Sequence, residues 1–358
     1  MQSHEPFESH SPWPLFAEDL PLARHWLLSQ WRTLEQIPRG LAHVGLGLGL
    51  LEETNRLCAS DHSKIETRTK QQLRFRIALR QDLANPYTEL LGIAGLQAKA
   101  RHFQASNEQK TIALLGGIGD QLQLISLLKS WNQDGQKSIR LEASPTRVRQ
   151  LQRCCATLPW IELHPWSQPL ENYELTQVDL AAMLWQQGYR HHEIWLSELA
   201  QMDTPPQLLC CWRAAGQGDA FSAFSRSISF NMALGFYQDL HSKRNWPSQS
   251  IIDLTCWQPW EKKLLEKSGI KIHDPAKGDI WDLASLAGRS RVITIDTALA
   301  HLCAAMGHQA TVLLPFYEDE RWPYLLKPNQ CYSNYLRTVR QTNYGDWKQA
   351  LDEAISTL

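Results

Sequence analysis

The feature that most constrains this sequence is a unit that recurs: a short apolar run, a tight turn and an amphipathic stretch. Thr111-Ile112-Ala113-Leu114-Leu115 is followed by Gly116-Gly117-Ile118-Gly119-Asp120, and then by Leu122, Ile125, Leu128 and Trp131 at helical spacing. That succession predicts a strand feeding a helix through a glycine turn. The next residues repeat it: Ser138–Glu142 reads as strand, Pro145–Leu158 as helix and Ile161–Leu163 as strand. Such alternation predicts a parallel sheet with helices on its faces.

The alternation stops at Asp203-Thr204-Pro205-Pro206, which reads as a linker, and then restarts. Strands are expected at Gln207–Trp212, Ser250–Thr255, Arg291–Ile295 and Ala310–Leu314. Helices are expected at Pro259–Lys267, Asp282–Ala287, Ala298–Met306 and Asp346–Leu358. Two α/β units joined by a linker predict two Rossmann-like domains facing a cleft. The organisation reads as a helical region over 1–105, a first Rossmann-like domain over 106–203, a second over 204–345 and a closing helix over 346–358.

The first 105 residues carry a different pattern. Leu20, Ala23, Leu27, Trp31 and Leu34 repeat at helical spacing after Asp19 as a cap and Pro21 in the first turn. A second helix is expected from Leu41 into Leu57, a third over Lys64–Leu83 and a fourth over Tyr87–Phe103. No period of about 34 residues repeats, so this is not a helical repeat array. The apolar stripe from Leu20 to Leu34 predicts that these helices pack on the first α/β domain.

Composition narrows the function. Lys and Arg total 36 against 37 Asp and Glu, which excludes a chain that holds nucleic acid or membranes by bulk charge. The 358 residues are 43% hydrophobic with 15 Trp, which excludes a disordered chain and predicts aromatic surfaces in cores or around flat ligands. Met1–Pro6 has neither a basic n-region nor an apolar h-region, and no run of about 18 apolar residues occurs. The eight cysteines include no C-x-x-C and read as reduced core thiols, so a cytoplasmic location is expected.

Two turns carry chemistry. In Gly117-Ile118-Gly119-Asp120 the glycines let backbone approach a ligand, and the helix that follows favours negative charge. Asp120 is either a helix cap or a general base at the mouth of a cleft. The turn lacks the third glycine of a dinucleotide fingerprint, since Leu122 stands at that position and Gln123 follows it. Gly45-Leu46-Gly47-Leu48-Gly49 also fails that test and reads as a close helix-packing face. In the second turn, a buried strand ends at Ile295-Asp296-Thr297 and a helix starts at Ala298. Asp296 or Thr297 can cap that helix, and its exposed amides can hold a diphosphate. His301, one turn further, is either structural or part of that anion site.

Metal chemistry has no support: there is no H-E-x-x-H, no cysteine quartet and no Asp-x-Asp. Glu318-Asp319-Glu320 reads as a solvated loop, and adjacent His191 and His192 point apart. No G-x-S-x-G and no P-loop occurs.

From Leu115 onward the chain resembles the bacterial GT-B glycosyltransferases of the heptosyltransferase superfamily. It is most similar to the glycosyltransferase domain found behind tetratricopeptide repeats. That domain's Gly-x-Gly-Asp-x-x-Gln appears as Gly117 to Gln123, and its Asp-Thr-Ala-x-Ala-His-Leu as Asp296 to Leu302. Of its Trp-x-Gly followed downstream by Arg-Ser, Trp212 and then Arg226-Ser227-Ile228 appear here. Its Leu-Leu-Pro and Asp-Trp-Arg-Trp correspond to Leu313-Leu314-Pro315 and Asp319-Glu320-Arg321-Trp322. Its closing Arg-Gln and Gly-Asp-Trp appear as Arg340-Gln341 and Gly345-Asp346-Trp347. The usual Ala-Gly-Ala after the histidine is Cys303-Ala304-Ala305 here, and the usual Trp-Tyr-Pro is Cys331-Tyr332-Ser333.

The resemblance implies a GT-B fold with an α-helical N-terminal extension and a C-terminal helix that crosses back onto the first domain. Ala350, Leu351, Ala354 and Ile355 offer that helix a stripe to bury. It also implies an inverting, metal-independent transfer from a nucleotide sugar to an acceptor hydroxyl, with no cofactor beyond the donor. Asp120 would be the catalytic base, with Gly117, Gly119 and Gln123 on the acceptor side. Arg226, Ser227, Asp296, Thr297, Ala298 and His301 would bind the donor, the helix amides stabilising the leaving diphosphate. Arg226-Ser227 could equally be a surface turn, Arg321 could brace its loop through Asp319, and Trp212 and Trp322 could stack on a ligand but fit a core better. Expected partners are the nucleotide sugar, a glycan, lipid-glycan or protein acceptor, and a protein at the N-terminal helices. Competing readings are a nucleotide-sugar epimerase on the same fold and a non-catalytic sugar-binding or scaffold protein.

Overall fold

A computed structural model of the chain describes residues 19–37, 39–59, 65, 70, 73–74, 76–77, 110–169, 173, 175–186, 189, 192–200, 207–214, 225–274, 278–319, 321–328 and 330–358. The apolar runs form the expected parallel strands. In the first unit, β1 (Lys110–Ala113) is followed by α4 (Ile118–Trp131), β2 (Ile139–Ala143), α5 (Pro145–Cys155), β3 (Ile161–Pro165), β4 (Leu175–Thr176) and α6 (Gln177–Gln186). Its sheet runs β3-β2-β1-β4, all parallel, so the strand order reverses beside β1.

The second unit contains β5 (Gln207–Cys211), α7 (Phe230–Arg244), β6 (Ile251–Asp253), α8 (Pro259–Lys267), β7 (Lys271–Ile272) and α9 (Ile280–Ala287). It continues with β8 (Ser290–Ile295), α10 (Ala298–Met306), β9 (Ala310–Leu314), α11 (Trp322–Leu325), α12 (Cys331–Tyr335), β10 (Leu336–Arg340) and α13 (Lys348–Ser356). Its sheet runs β10-β9-β8-β5-β6-β7, again parallel. Here the order reverses between β5 and β8. In open α/β sheets the crevice outside the carboxyl ends of the strands at such a reversal is where ligands bind. The α/β architecture expected of a GT-B chain is therefore what the chain adopts.

The units are not separated by an open gap along their whole length. One apolar cluster contains Ile112, Leu122, Ile125 and Leu128 of the first unit together with Leu299, Leu302, Val312 and Leu314 of the second. Two main-chain amides, Trp195 and Leu196, donate to Ala305 O at the end of α10, and Arg153 pairs with Asp279 and Asp282. The second cluster is built from the second unit alone. At its centre Asp253 is fully buried and accepts from Tyr237 Oη at 2.7 Å, Trp257 Nε1 at 2.8 Å and Thr255 N at 2.7 Å. Tyr237 Oη in turn accepts from Trp212 Nε1 at 2.6 Å. Burial pushes the Asp253 carboxyl above its ordinary range, and these donors work the other way. Trp212 is thus a core residue, as is Trp322.

Four expectations are corrected. The closing helix does not cross back: Ala350, Leu351, Ala354 and Ile355 all belong to the second unit's cluster, with Phe236 and Leu240 of α7. Lys243 bridges to Asp352 and Arg337 to Glu353, which fixes the same docking. The stripe that was expected to reach the first unit finds an apolar partner in α7, a helix the periodicity of Phe230, Ala233, Phe236, Tyr237 and Leu240 could have announced. The helix expected from Leu41 into Leu57 is two helices, α2 (Arg39–Gly47) and α3 (Leu51–Ala59), after α1 (Leu20–Thr33). Gly49 breaks it at φ +71, a conformation that glycine adopts without strain.

The described part of the N-terminal layer docks on the second unit, where docking on the first was expected. Its cluster of Leu27, Trp31, Leu46 and Leu48 takes Tyr344 from the second unit as a partner. Arg24 donates to Leu48 O at 2.8 Å and to Tyr317 Oη at 2.6 Å, tying the layer to the loop after β9, as Tyr344 does to the loop after β10. Gly45 is the close-packing glycine the sequence suggested, since a Cβ there would lie 2.4 Å from Trp31 Cη2. The acidic run is not a solvated loop: Glu318 pairs with Arg340, and Asp319 clasps Arg321. The helix expected over Tyr87–Phe103, most of that over Lys64–Leu83, the linker, His191 and Glu320 lie outside the described residues. The cysteines form no disulfide, and most are buried.

Candidate functional site

The site is built where the carboxyl ends of β1, β8 and β9 converge. After β1 the chain turns through Gly116, at φ +74, into α4, whose N-cap is Gly117. Asp120 is not the N-cap but the third residue of the helix, and its Oδ2 accepts from Gly117 N at 3.1 Å. Its other oxygen, Oδ1, pairs with Arg321 Nη1 from the loop after β9. Burial raises the Asp120 carboxyl, but the Arg321 charge and hydrogen bond outweigh it, with help from Gly117 N, and hold it below its ordinary range. At neutral pH it is a carboxylate, and its side chain remains 39% exposed.

Gly119 and Gln123 lie one turn apart on the same face of α4. That face meets α10. A Cβ on Gly119 would stand 2.4 Å from His301 Cδ2, so only glycine lets the two helices approach this closely. Gln123 Nε2 lies 3.0 Å from His301 Nδ1, and Tyr332 Oη lies 3.0 Å from the same nitrogen. Trp322 stacks on the imidazole at 5.8 Å between ring centroids. His301 is therefore an interface residue, enclosed by aromatic rings and only 4% exposed.

Next to it, Asp296 is 1% exposed. Its Oδ2 accepts from Arg226 Nη1 at 3.1 Å, and its carbonyl oxygen accepts from the same nitrogen at 3.0 Å. Its Oδ1 accepts no hydrogen bond and stands 3.7 Å from His301 Nε2. Thr297 is the N-cap of α10, but its hydroxyl lies 2.9 Å from Thr294 Oγ1 and does not cap the helix amides. The N-terminus of α10, beginning at Ala298, thus presents its amides without a side-chain cap. Arg226, whose side chain is 22% exposed, stands beside it. Ser227 Oγ accepts from Ala214 N at 3.1 Å.

Of the residues expected in the site, Gly117, Gly119, Asp120, Gln123, Asp296, Thr297, Ala298, His301 and Arg226 are brought to one seam, and Ser227 serves its loop. Asp296 and His301 are buried and act on their neighbours: Asp296 fixes Arg226, and His301 fixes the helix pair. The bracing of Arg321 by Asp319 is local and fits the sequence expectation, whereas its partnership with Asp120 joins distant segments. No local pattern links positions 201 residues apart.

Burial pushes the His301 imidazole down to about 4, with Asp296 pulling the other way. Its folded value lies below the ordinary 6.5, so the unfolded chain binds more protons between about pH 6.5 and pH 4. Stability is therefore expected to fall as pH drops through that window. Denaturant midpoints at pH 7 and pH 4.5 check this; His301→Gln should flatten the slope, and an unchanged slope would place the proton uptake on another group.

No protein-family model and no curated protein matches the chain. Solved structures with a similar outline exist. TibC, an iron-containing dodecameric heptosyltransferase of enterotoxigenic E. coli solved with ADP-D-beta-D-heptose, is 10% identical at TM-score 0.39 over 58% of this chain. The chain spans 58% of the length of TibC. The E. coli heptosyltransferase WaaC with ADP-2-deoxy-2-fluoro heptose is 12% identical at TM-score 0.44, over 70% of this chain and 98% of that one. A glycosyl transferase family 9 protein from Veillonella parvula is 12% identical at TM-score 0.40, over 66% of this chain and 88% of that one.

Proposed function

We propose that the chain is an inverting glycosyltransferase that moves a sugar from a nucleotide-sugar donor to an acceptor hydroxyl. The observation that supports it is the meeting of two complementary ends at one seam. The first sheet brings a carboxylate, Asp120, to its strand-order reversal. The second brings an uncapped helix N-terminus, Thr297-Ala298, and a guanidinium, Arg226, to its own. The motif match from Gly117 to Gln123 and from Asp296 to Leu302 supports the same reading.

Each end supplies one half of a displacement. The acceptor oxygen attacks the anomeric carbon and loses its proton to Asp120. The bond from that carbon to the diphosphate breaks on the opposite face, and the electron pair leaves with the phosphate. The growing negative charge falls on the amides of α10 and on Arg226, so the chain's own groups supply the compensating charge and the proposal is of transfer without a metal. Buried Asp296 holds Arg226 in place, so the guanidinium needs little reorganisation when the donor arrives.

Donor binding is the direct test. Thermal melts of the full chain with a panel of UDP-, GDP- and ADP-sugars should show a rise for at least one, since a ligand at 100 times its Kd adds about 2.7 kcal/mol. Arg226→Ala should remove most of that rise. A flat panel, or an equal rise in the Arg226 variant, would count against the donor site. The acceptor is a hydroxyl of a glycan, lipid-glycan or protein, and transfer to each class separates them.

A further inference from the structure

The loop after β9 is fixed far more firmly than an exposed connection needs to be. Phe316 N donates to Gln341 Oε1 at 2.9 Å, Glu318 pairs with Arg340, and Tyr317 accepts from Arg24 of the N-terminal layer. A Cβ on Gly49 would stand 2.4 Å from Tyr317 Cζ, so the layer presses directly on this loop. Its last residue, Arg321, is then held at the root by Asp319: Nε donates to Oδ1 at 2.7 Å, Nη2 to Oδ2 at 3.2 Å, and the main-chain N to Oδ1 at 3.0 Å. One nitrogen is left over at the tip of the fork, and that nitrogen, Nη1, reaches across to Asp120 Oδ1. A residue braced only to hold its own loop would have no use for this last contact.

We propose that Arg321 is the positioning residue for Asp120, so that the base is assembled from both α/β units and its carboxylate is aimed from the second unit. This rests on the transferase reading above. Gly117 N fixes one carboxylate oxygen from within α4, and Arg321 fixes the other from across the seam. Two fixed oxygens leave the carboxylate a single orientation, with lone pairs still available on each oxygen. The titratable neighbours that bear on the pair include His301 and Tyr332, which act on both Asp120 and Arg321, Asp319 and Asp296, which face Arg321, and Arg76, which acts on Asp319. His301 is neutral near pH 7, so Arg321 is the described cation nearest the base.

The consequence is a link between the N-terminal layer and the chemistry. The layer holds Tyr317, the Tyr317 loop holds Arg321, and Arg321 holds the carboxylate. Removing the guanidinium leaves the burial of Asp120 without its opposing charge, so the carboxyl must titrate higher. Lysine restores the charge but not the fork that grips Asp319, so it should restore titration better than rate.

The test uses the full chain labelled with carboxyl-¹³C aspartate, with the Asp120 signal assigned by its loss in Asp120→Asn. In the unsubstituted chain that signal should titrate below the ordinary carboxylate range. In Arg321→Gln it should move up to that range or beyond, and Arg321→Lys should return it most of the way. Release of nucleoside diphosphate from UDP-glucose, UDP-N-acetylglucosamine, GDP-mannose and ADP-glucose gives the second readout. For whichever donor turns over, Arg321→Gln should lower kcat about 10- to 100-fold with donor KM within about threefold, and should move the acid limb of the pH profile upward. An Asp120 signal and a pH profile that both ignore Arg321→Gln would overturn the proposal while leaving the transferase reading intact. Undiminished turnover in Asp120→Asn would remove the transferase reading instead. If Arg321→Gln does not fold, Asp319→Asn loosens the same fork and takes its place; if no donor turns over, the titration alone decides.

Discussion

Replacing Asp120 with Asn is expected to lower sugar transfer by about 10²–10⁴-fold while the chain still folds and still binds donor. Asn keeps an oxygen for Gly117 N, which is the capping contact of α4. What it loses is the charge facing Arg321. That pair is partly exposed, 33% on the arginine and 39% on the aspartate, so its loss should cost about 1 kcal/mol or less. Rate and stability therefore separate at this position. Melting curves and donor titrations of the variant, beside its kcat, check this. Near-normal transfer would reduce Asp120 to a helix cap.

Gly119→Ala should show the opposite coupling, with stability and rate lost together. The added methyl meets His301 Cδ2 at 2.4 Å, well inside contact distance. The ring has no free space to enter, since Trp322 stacks on it and Gln123 and Tyr332 hold its Nδ1. The helices must separate instead, at a cost of about 1–3 kcal/mol. The same shift moves Asp120 relative to Thr297 and Arg226, and misplacement of about 1 Å can cost 10²-fold in rate. Gly117→Ala is the control for stability alone: its Cβ would meet only Asp120 Oδ2, at 3.6 Å, an ordinary contact. A Gly119→Ala chain with unchanged melting and rate would show that the seam yields easily.

Much of this arrangement is legible in the sequence where the signal is local. The helices Pro259–Lys267 and Ala298–Met306 have the bounds that proline at a first helical position and glycine after a last one suggest. Seven of the ten described strands follow from short apolar runs, whereas β4, β7 and β10 do not: two are only two residues long, and Leu336–Arg340 mixes apolar with charged or polar residues. The break at Gly49 was readable in principle, because three glycines in five residues favour a turn, but the leucines between them continue a helical stripe. The docking of α13 and of the N-terminal layer was not readable, since an apolar stripe specifies burial and not the partner that supplies it. Asp120 was legible as a candidate because it follows a glycine turn at a strand end. Its pairing with Arg321 was not, because ion pairs between distant segments leave no periodicity behind.

The shared core across the seam has a consequence for how the chain is made. The face of α4 marked by Gly119 and Gln123 is covered by α10, and Asp120 meets Arg321 201 residues later in the chain. At about 5–20 residues per second, a ribosome needs roughly 10–40 s to cover such a distance. Throughout that interval the nascent first unit has a helix whose apolar side has no cover and a carboxylate whose cation has not been synthesised. Such surface is prone to association with other chains until α10 emerges to cover it.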